Sequence, residues 1–430
     1  MEDSAALAEE LVASNSQGNT PDATQAAIIA QEAAGHPLFI HELVHHLQNR
    51  PAGGLHKVLR LDDVLWERVR GLEEPLRRLV EIVSISFGPL RQEIAAMALG
   101  PHPAEIFRMA ARLRVLHLVR TSGPGPEDLV EPYHDRVREA VLARMEPDAR
   151  LAVHRQLVKV LRAMRNVEPE RLAAHLEVIG ERAEASALIA AAADSAAAAL
   201  AFNRAADLYH DAIGLRVNEA GVPDPDPESL RQLHIRMGTA LENAGRGRDA
   251  ADAYLAAVPG ARPVEAVELK RRAANQLLIS GFIDEGLVIT DQILEAVGKR
   301  MPKSTVGVLS ALMWGRFRVR MAGSRFQERD ESELPPADLV YVDILKSIAL
   351  GLGGADHIRG AYFNTRFLSA ALRLGEPSRV LTALCAEANY AAANAPDSGH
   401  AHAILASCER IQKRLGDPQA AMYLAGAHAF

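Results

Sequence analysis

The chain has 430 residues, of which 48% are apolar but only 4% aromatic, and its formal net charge is −7. This length predicts several domains with a sizeable helical core, and the acidic balance argues against an overall attraction to nucleic acid or anionic lipid. The alanine-rich stretch from Ala185 to Ala201 is too short to span a bilayer. With only Cys385 and Cys408 in the chain, a reduced cytoplasmic setting with no membrane partner is expected.

The first region, residues 1–55, contains a formal metal-binding motif. The segment "AGHPLFIHELVHHL" (33–46) places His41, Glu42 and His45 in the H-E-x-x-H spacing, in which two histidines bind zinc and the glutamate activates water. A zinc metalloprotease using His41 and His45 is therefore one functional hypothesis.

The surroundings of this motif argue against a metal. Phe39, Leu43 and Leu47 form the apolar stripe of the same helix, which places both histidines on the solvated face. Glu67 is the nearest plausible third ligand, but it belongs to an ordinary amphipathic pattern. We therefore predict no metal site and no catalytic residue in this chain.

Residues 56–145 predict a winged-helix-like domain. Several amphipathic helices are followed by two strand-like runs around "GPGP" (123–126) and by the helix "HDRVREAVLARM". The expected recognition helix carries Arg108, Arg112 and Arg114, side chains that can contact phosphates. A DNA-binding regulator is thus a further alternative, but DNA binding is not expected, because the surroundings of these arginines are acid-balanced and the chain has a net charge of −7.

The remaining chain predicts helical repeats, over 146–325 and again over 326–430, where the array is expected to be truncated at the C-terminus. Similar helices recur with Tyr209, Tyr254 and Ile289 in corresponding positions, and glycine-opened helices begin at Gly375 and Gly416. Such spacing is typical of an α-solenoid of tetratricopeptide-like helix pairs.

Together these segments resemble the C-terminal portion of signal-transduction ATPases with numerous domains, a branch of the AAA+ superfamily, as found in large bacterial serine/threonine protein kinases. "EAAGHPLFIHELVHHL" is similar to their ATPase lid, and the winged-helix-like and repeat segments follow in family order. The resemblance implies a mainly α fold: AAA+ lid helices and a winged-helix-like domain, then the α-solenoid. It also implies that Gly35 and Pro37 lie on the adenine side of a nucleotide site.

The catalytic motifs of that family are missing from the sequence. There is no G-x-x-x-x-G-K-[ST] phosphate loop, no apolar strand ending in acidic residues, and no kinase H-R-D or D-F-G motif. We therefore expect no cofactor in this chain alone, and ATP only if an upstream nucleotide-binding core is present. The preferred hypothesis is a non-catalytic regulatory fragment that relays protein–protein recognition to an upstream ATPase or kinase region.

Overall fold

The computed structural model divides into two compact units, Met1–Leu188 and Ile189–Phe430, and is mainly α-helical. The residues that the structure describes are 6–8, 10–11, 23–48, 60–100, 102–164, 167–217, 226–302, 304–323, 325–353, 356–394, 399–416 and 424–425. Most of the repeat that the sequence predicts after Gly416 lies outside them.

The first unit contains the segments for which the sequence predicts lid helices and a winged-helix-like domain. Its helices and strands are α1 (Ala23–Glu32), α2 (Pro37–Gln48), α3 (Leu61–Arg70), α4 (Glu74–Ile85), β1 (Leu90–Arg91), α5 (Gln92–Leu99), α6 (Pro103–Val115), β2 (Val119–Thr121), β3 (Leu129–Pro132), α7 (Asp135–Leu142), α8 (Pro147–Ala163) and α9 (Pro169–Val178). Helix α10 (Arg182–Ala198) crosses the division between the units.

Helix α4 supplies the central core of the first unit. Leu79, Val80 and Val83 recur at helical spacing and are buried, and α4 packs against α6, α7 and β3. The three strands form an antiparallel sheet in the order β1-β3-β2. The helices and the β2–β3 hairpin lie where the sequence predicts them, whereas β1, which has only two residues, is an addition.

The second unit is an array of packed helices. They are α11 (Phe202–Gly214), α12 (Pro227–Asn243), α13 (Gly247–Ala256), α14 (Pro263–Ile279), α15 (Ile283–Ala296), α16 (Thr305–Ala322), α17 (Pro336–Leu352), α18 (His357–Leu374), α19 (Pro377–Asn394) and α20 (Gly399–Leu415). From α11 to α15 each helix packs on the next, as expected of a solenoid. Helix α17 then packs on α14, while α16 packs out of sequence against α18.

A tyrosine, an acid and an arginine join three successive helices in the first repeat. The Tyr209 hydroxyl donates to Asp194 Oδ1 at 2.5 Å, and Arg236 donates to Asp194 Oδ2 at 3.0 Å. These residues come from α11, α10 and α12 respectively. We call this arrangement a triad.

The second repeat contains an equivalent triad. The Tyr254 hydroxyl donates to Glu242 Oε2 at 2.6 Å, and Arg272 donates to the same oxygen at 2.9 Å while its guanidinium lies 4.2 Å from the tyrosine ring centre. Gly238 makes room for that ring, since a Cβ there would lie 2.5 Å from Tyr254 Cε1. The correspondence between Tyr209 and Tyr254 predicted from the sequence is thus repeated in three dimensions.

In the third repeat, the residue that corresponds to Tyr254 in the structure is one position away from the residue predicted from the sequence. The helix-connecting turns pass through left-handed residues at Gly245 and Gly281. Counted from those glycines, Thr290 occupies the place of Tyr254, so the predicted match to Ile289 was wrong. Thr290 is fully buried, and its hydroxyl has no hydrogen-bond partner among the described residues.

Candidate functional site

The H-E-x-x-H histidines lie on the exposed face of α2. His41 and His45 are exposed, whereas Phe39 and Leu43 are buried, as the stripe predicted; the side chain of Leu47 lies outside the described residues. The two imidazole rings are nearly parallel, with centroids 6.4 Å apart. They border a depression of about 310 Å³ between α2 and α3.

The acidic residues near these histidines have other partners. Glu42 forms an ion pair with Arg68 of α3, and Glu67 lies 3.6 Å from His46 Nε2. Within the described ranges, no three His, Cys, Asp or Glu side chains are grouped so that they could hold a metal ion. The geometry therefore adds no third ligand to the zinc hypothesis.

Gly35 and Pro37, the residues predicted for the adenine side, lie where the chain turns from α1 into α2. Gly35 adopts φ 76°, and its amide donates to the Ala30 carbonyl at 3.1 Å. Pro37 is the first residue of α2 and its ring is exposed, a position where proline's fixed φ suits a helix start. The turn presents this ring to solvent.

Between them, His36 belongs to a small aromatic cluster that the sequence did not reveal. Its ring centroid lies 4.6 Å from that of Phe39 and 5.4 Å from that of His134, which precedes α7. Burial, and secondarily the neighbouring His134, lowers the pKa of His36. The cluster thus favours a neutral His36 and joins the α1–α2 turn to the start of α7.

The arginines of the expected recognition helix are not all available for phosphate contacts. Arg112 donates to Glu73 Oε1 at 3.2 Å across the gap between α6 and α4. Arg108 and Arg114 are exposed on the same helix. An arginine held by a carboxylate contributes less to an electropositive surface, so among the described residues this helix has two arginines without an ion-pair partner rather than three.

A larger concave site lies in the second unit. A groove of about 740 Å³ opens between the ends of α14, α15, α17 and α18. Its apolar lining comes from Val267, Val297, Val340, Ala370 and Leu374. We call it the basic groove, because of the cations described next.

Three exposed cations border the basic groove: Lys299, Arg329 and Arg373. Neither Arg329 nor Arg373 forms an ion pair with any described residue, whereas most arginines of this unit do. Asp338, in the first turn of α17, also lines the groove. The lining therefore combines an apolar floor with an excess of positive charge, which suits an acidic ligand that also has apolar groups.

One side of the basic groove is formed by a tyrosine held in a fixed orientation. Arg366 of α18 donates to the hydroxyl of Tyr341 at 2.6 Å and to that of Tyr362 at 2.8 Å. The ammonium of Lys299 lies 5.5 Å from the centre of the Tyr341 ring. Tyr341 thus presents a rigid aromatic face beside a cation, an arrangement common where proteins bind peptides.

Comparisons with known proteins leave the family open. No protein-family model matches the chain, and no curated protein matches it. The chain is similar to the crystal structure of a signal-transduction ATPase with numerous domains that has a tetratricopeptide repeat sensor, from Pyrococcus horikoshii, with 14% identity and a TM-score of 0.36 over 98% of this chain and 56% of that one. It is also similar to aspartyl phosphate phosphatase F from Bacillus subtilis, with 11% identity and a TM-score of 0.32 over 99% of this chain and 94% of that one. Similarities this low support no functional argument.

A second histidine pair, which sequence analysis missed, is buried in the first unit. The Nδ1 atoms of His154 in α8 and His175 in α9 lie 2.8 Å apart, beneath the ring of Phe87. Burial, with smaller contributions from His154 and Arg171, lowers the pKa of His175 to about 3. Burial also lowers the pKa of His154. The pair is therefore neutral at physiological pH; the only sequence signal was that both residues fall on the apolar faces of their helices.

Proposed function

We propose that this chain is a non-catalytic recognition protein that binds an acidic, partly apolar protein segment in the basic groove. The observation that supports this proposal is the set of cations around an apolar floor in a helical-repeat array. Stacked helix pairs present extended surfaces for partner proteins, and Arg and Tyr are enriched where such surfaces bind tightly.

The charges specify the ligand more closely than the shape does. Arg329 and Arg373 lack carboxylate partners among the described residues, so a bound acidic side chain or carboxyl terminus would supply the missing counter-charge. The apolar lining would take one or two aliphatic side chains of the same segment. A peptide in which Leu or Val lies next to Asp or Glu fits both requirements.

Binding can be tested with fluorescently labelled peptides of about 12 residues that combine Leu and Glu, and with matched peptides in which Lys replaces Glu. We expect the acidic peptides alone to bind, with dissociation constants on the order of 10–100 μM. Arg329→Glu with Arg373→Glu should weaken this binding by at least about tenfold, because it reverses the charge of the site. The matched control is Arg318→Glu with Arg320→Glu, the same charge change on α16.

Equal binding of the acidic and basic peptides, or binding unaffected by the groove variant, would contradict the proposal. Circular dichroism of both double variants verifies that the helices are intact. Since all four arginines are exposed, neither pair of substitutions removes core packing.

We further propose that recognition is relayed to an ATPase or kinase region that lies outside this chain and supplies the phosphate site. This part rests on the order of the lid-like, winged-helix-like and repeat segments. Gly35 and Pro37 would then border adenine, as the lid resemblance implies. Packing one proline ring on a base stabilises binding by about 2 kcal/mol at best, whereas even a 1 mM site requires about 4 kcal/mol.

The chain alone should therefore give no heat of ATP binding in titration calorimetry. Addition of a nucleotide-binding core encoded upstream should restore binding, and Pro37→Ala should then weaken it by about tenfold or less. A dissociation constant below about 100 μM for the isolated chain would mean that it contains its own phosphate site.

A further inference from the structure

Helix α16 contacts the rest of the second unit through one narrow face. Val308 is buried, and Gly315 lies so close to α18 that a Cβ there would be 2.9 Å from Thr365 Cγ2. On the same side Arg316 forms an ion pair with the buried Glu387. These contacts fix which face of α16 is turned away from the protein.

That outer face is apolar and exposed over the whole helix. It carries five large side chains that we call the α16 stripe: Val306, Met313, Trp314, Phe317 and Met321, which are 73%, 74%, 63%, 56% and 73% exposed. The rings of Trp314 and Phe317 are stacked, with centroids 5.9 Å apart. A soluble helix normally buries such a face, so a contiguous stripe of this kind marks an interaction surface.

The charge around the α16 stripe is opposite to that of the chain as a whole. Residues 296–327 contain seven Lys or Arg and no Asp or Glu, whereas the whole chain has a net charge of −7. Arg318 and Arg320 are exposed on the two edges of the stripe. Neither forms an ion pair with a described residue, so both are available to anions.

We propose that α16 binds the surface of a membrane that contains anionic lipids, lying in the plane of the headgroups. An apolar face with Trp and Phe, edged by arginines, is the composition of interfacial helices. The aromatic rings suit the boundary between headgroups and acyl chains, and the arginines suit anionic headgroups. The helix has 18 residues, a length of about 27 Å, so it can lie flat along its whole stripe.

A second copy of the chain fits this face less well. Two stripes packed in parallel would bring Arg318 and Arg320 of one copy close to those of the other, and residues 296–327 contain no Asp or Glu to offset the repulsion. Moreover, Ser310 and Arg320 interrupt the seam that a helix pair would use.

This proposal differs from the expectation, based on net charge, that the chain has no membrane partner. Net charge averages over the chain, whereas attraction to a lipid surface falls off within about 10 Å and depends on the charges nearest to it. Throughout the described ranges, every helix is too short or too polar to cross a bilayer. The proposal accordingly concerns attachment to the surface.

Tryptophan fluorescence tests this directly, because the chain has two tryptophans and Trp66→Phe leaves Trp314 as the only one. With vesicles of phosphatidylcholine containing about 30% phosphatidylserine, we expect a blue shift of Trp314 emission and protection from acrylamide. Pure phosphatidylcholine vesicles should give neither change, and raising the salt from about 0.1 M to about 0.5 M should weaken binding.

Two variants examine the charges and the apolar groups separately. Arg318→Glu with Arg320→Glu should weaken partitioning at least about 25-fold, at about fivefold for each cation removed. The control Arg108→Glu with Arg155→Glu makes the same charge change on exposed arginines of the first unit and should leave partitioning unchanged.

For the apolar contribution, Met313→Ser with Phe317→Ser should weaken partitioning at least about tenfold. The control Ile279→Ser with Val288→Ser removes side chains that are similarly exposed, at 56% and 59%, on α14 and α15. It should have no effect.

Three results would overturn the proposal. The first is an unchanged Trp314 spectrum with phosphatidylserine vesicles. The second is vesicle binding that survives Arg318→Glu with Arg320→Glu. The third is a blue shift that rises with protein concentration in the absence of lipid, accompanied by dimers in analytical ultracentrifugation, which would assign the stripe to self-association. None of these measurements involves the basic groove, so the peptide-binding proposal stands or fails independently.

Discussion

The two histidine pairs of the first unit show how little sequence spacing says about chemical environment. His41 and His45 match a zinc motif, yet both are exposed on α2. His154 and His175 match no motif, are 21 residues apart in sequence, and meet in the core with their Nδ1 atoms 2.8 Å apart. The motif identified the pair that is exposed to solvent. The buried pair matches no motif and is formed only by the packing of α8 against α9.

The difference lies in the cost of protonation. An exposed imidazole can gain a proton and remain hydrated. A buried imidazole can gain one only by placing an uncompensated charge in the core. Protonation of His154 and His175 should therefore affect folding stability, whereas substitution of the exposed His41 and His45 should remove little packing. Five experiments test this difference between the two pairs.

The largest effect is expected from His175→Ala. The substitution leaves a cavity and removes the hydrogen-bond partner of His154, so it should destabilise the first unit by about 3 kcal/mol at neutral pH. Urea unfolding in a Trp314→Phe background, followed by the fluorescence of Trp66, reports on this unit alone. A loss below about 1 kcal/mol would show that the buried pair matters no more than an exposed one.

The next largest effect is expected from lowering the pH, which should reduce folding stability through the buried pair. The folded pKa of His175 is about 3 against an ordinary 6.5, so between these values the unfolded chain binds more protons. Stability is therefore fully present above pH 6.5 and falls as the pH drops, by up to about 1.4 kcal/mol per pH unit. From pH 6.5 to pH 4.5 the loss from this group should approach 2–3 kcal/mol.

A double variant tests the origin of that acid sensitivity. His154→Met with His175→Met removes both titrating groups with little change in volume, so its stability should fall less steeply between pH 6.5 and pH 4.5 than that of the parent. Carboxylates elsewhere contribute equally to both proteins. Parallel pH profiles would locate the acid sensitivity outside the buried pair.

A smaller effect is expected beside the exposed histidines. Glu42→Gln weakens the half-buried ion pair with Arg68, whose other Nη donates to the Leu116 carbonyl at 2.9 Å. Because that hydrogen bond remains, the cost should be about 1 kcal/mol or less. The same urea titration measures this cost. A loss above about 2 kcal/mol would mean that the ion pair beside the exposed histidines contributes nearly as much to stability as the buried histidine pair.

The smallest effect is expected from His41→Ala with His45→Ala. Stability should change by less than about 0.5 kcal/mol, and metal analysis of untagged protein should find well under one zinc per chain before and after substitution. One zinc per chain, lost in the variant together with peptidase activity, would restore the protease hypothesis and reverse the comparison.

Most helices could be predicted because their information is local. The apolar periodicity around Leu79 and Val83 places α4, and the two strand-like runs around "GPGP" place β2 and β3. The pair Leu90–Arg91 could not be recognised as β1, since two residues have no period and become a strand only by pairing with β3. The shift from Ile289 to Thr290 likewise needed the turn geometry at Gly281.

The basic groove could not be predicted, because its lining residues come from four helices separated in sequence. Lys299, Arg329 and Arg373 lie in no common motif, and only the packing of α17 on α14 brings their surroundings together. The two cysteines are a similar case: Cys385 and Cys408 are distant in sequence, yet both are buried, and the neighbouring Cys408 thiol lowers the pKa of Cys385. Sequence patterns reveal the apolar face of a single helix, whereas the basic groove and the cysteine pair are each formed by more than one helix.

The triads have a mechanical consequence. Each one connects three successive helices through short polar contacts, so a force applied at α10 is transmitted to α12, and one applied at α12 is transmitted to α14. The triads end at Thr290, whose hydroxyl has no partner among the described residues, and α14 and α15 are joined instead by contacts such as the hydrogen bond from Lys270 Nζ to Gln292 Oε1 at 3.0 Å. The array should therefore resist bending in two ways: through the two triads from Asp194 to Arg272, and through apolar packing around residues such as Leu294 and Phe363 beyond them.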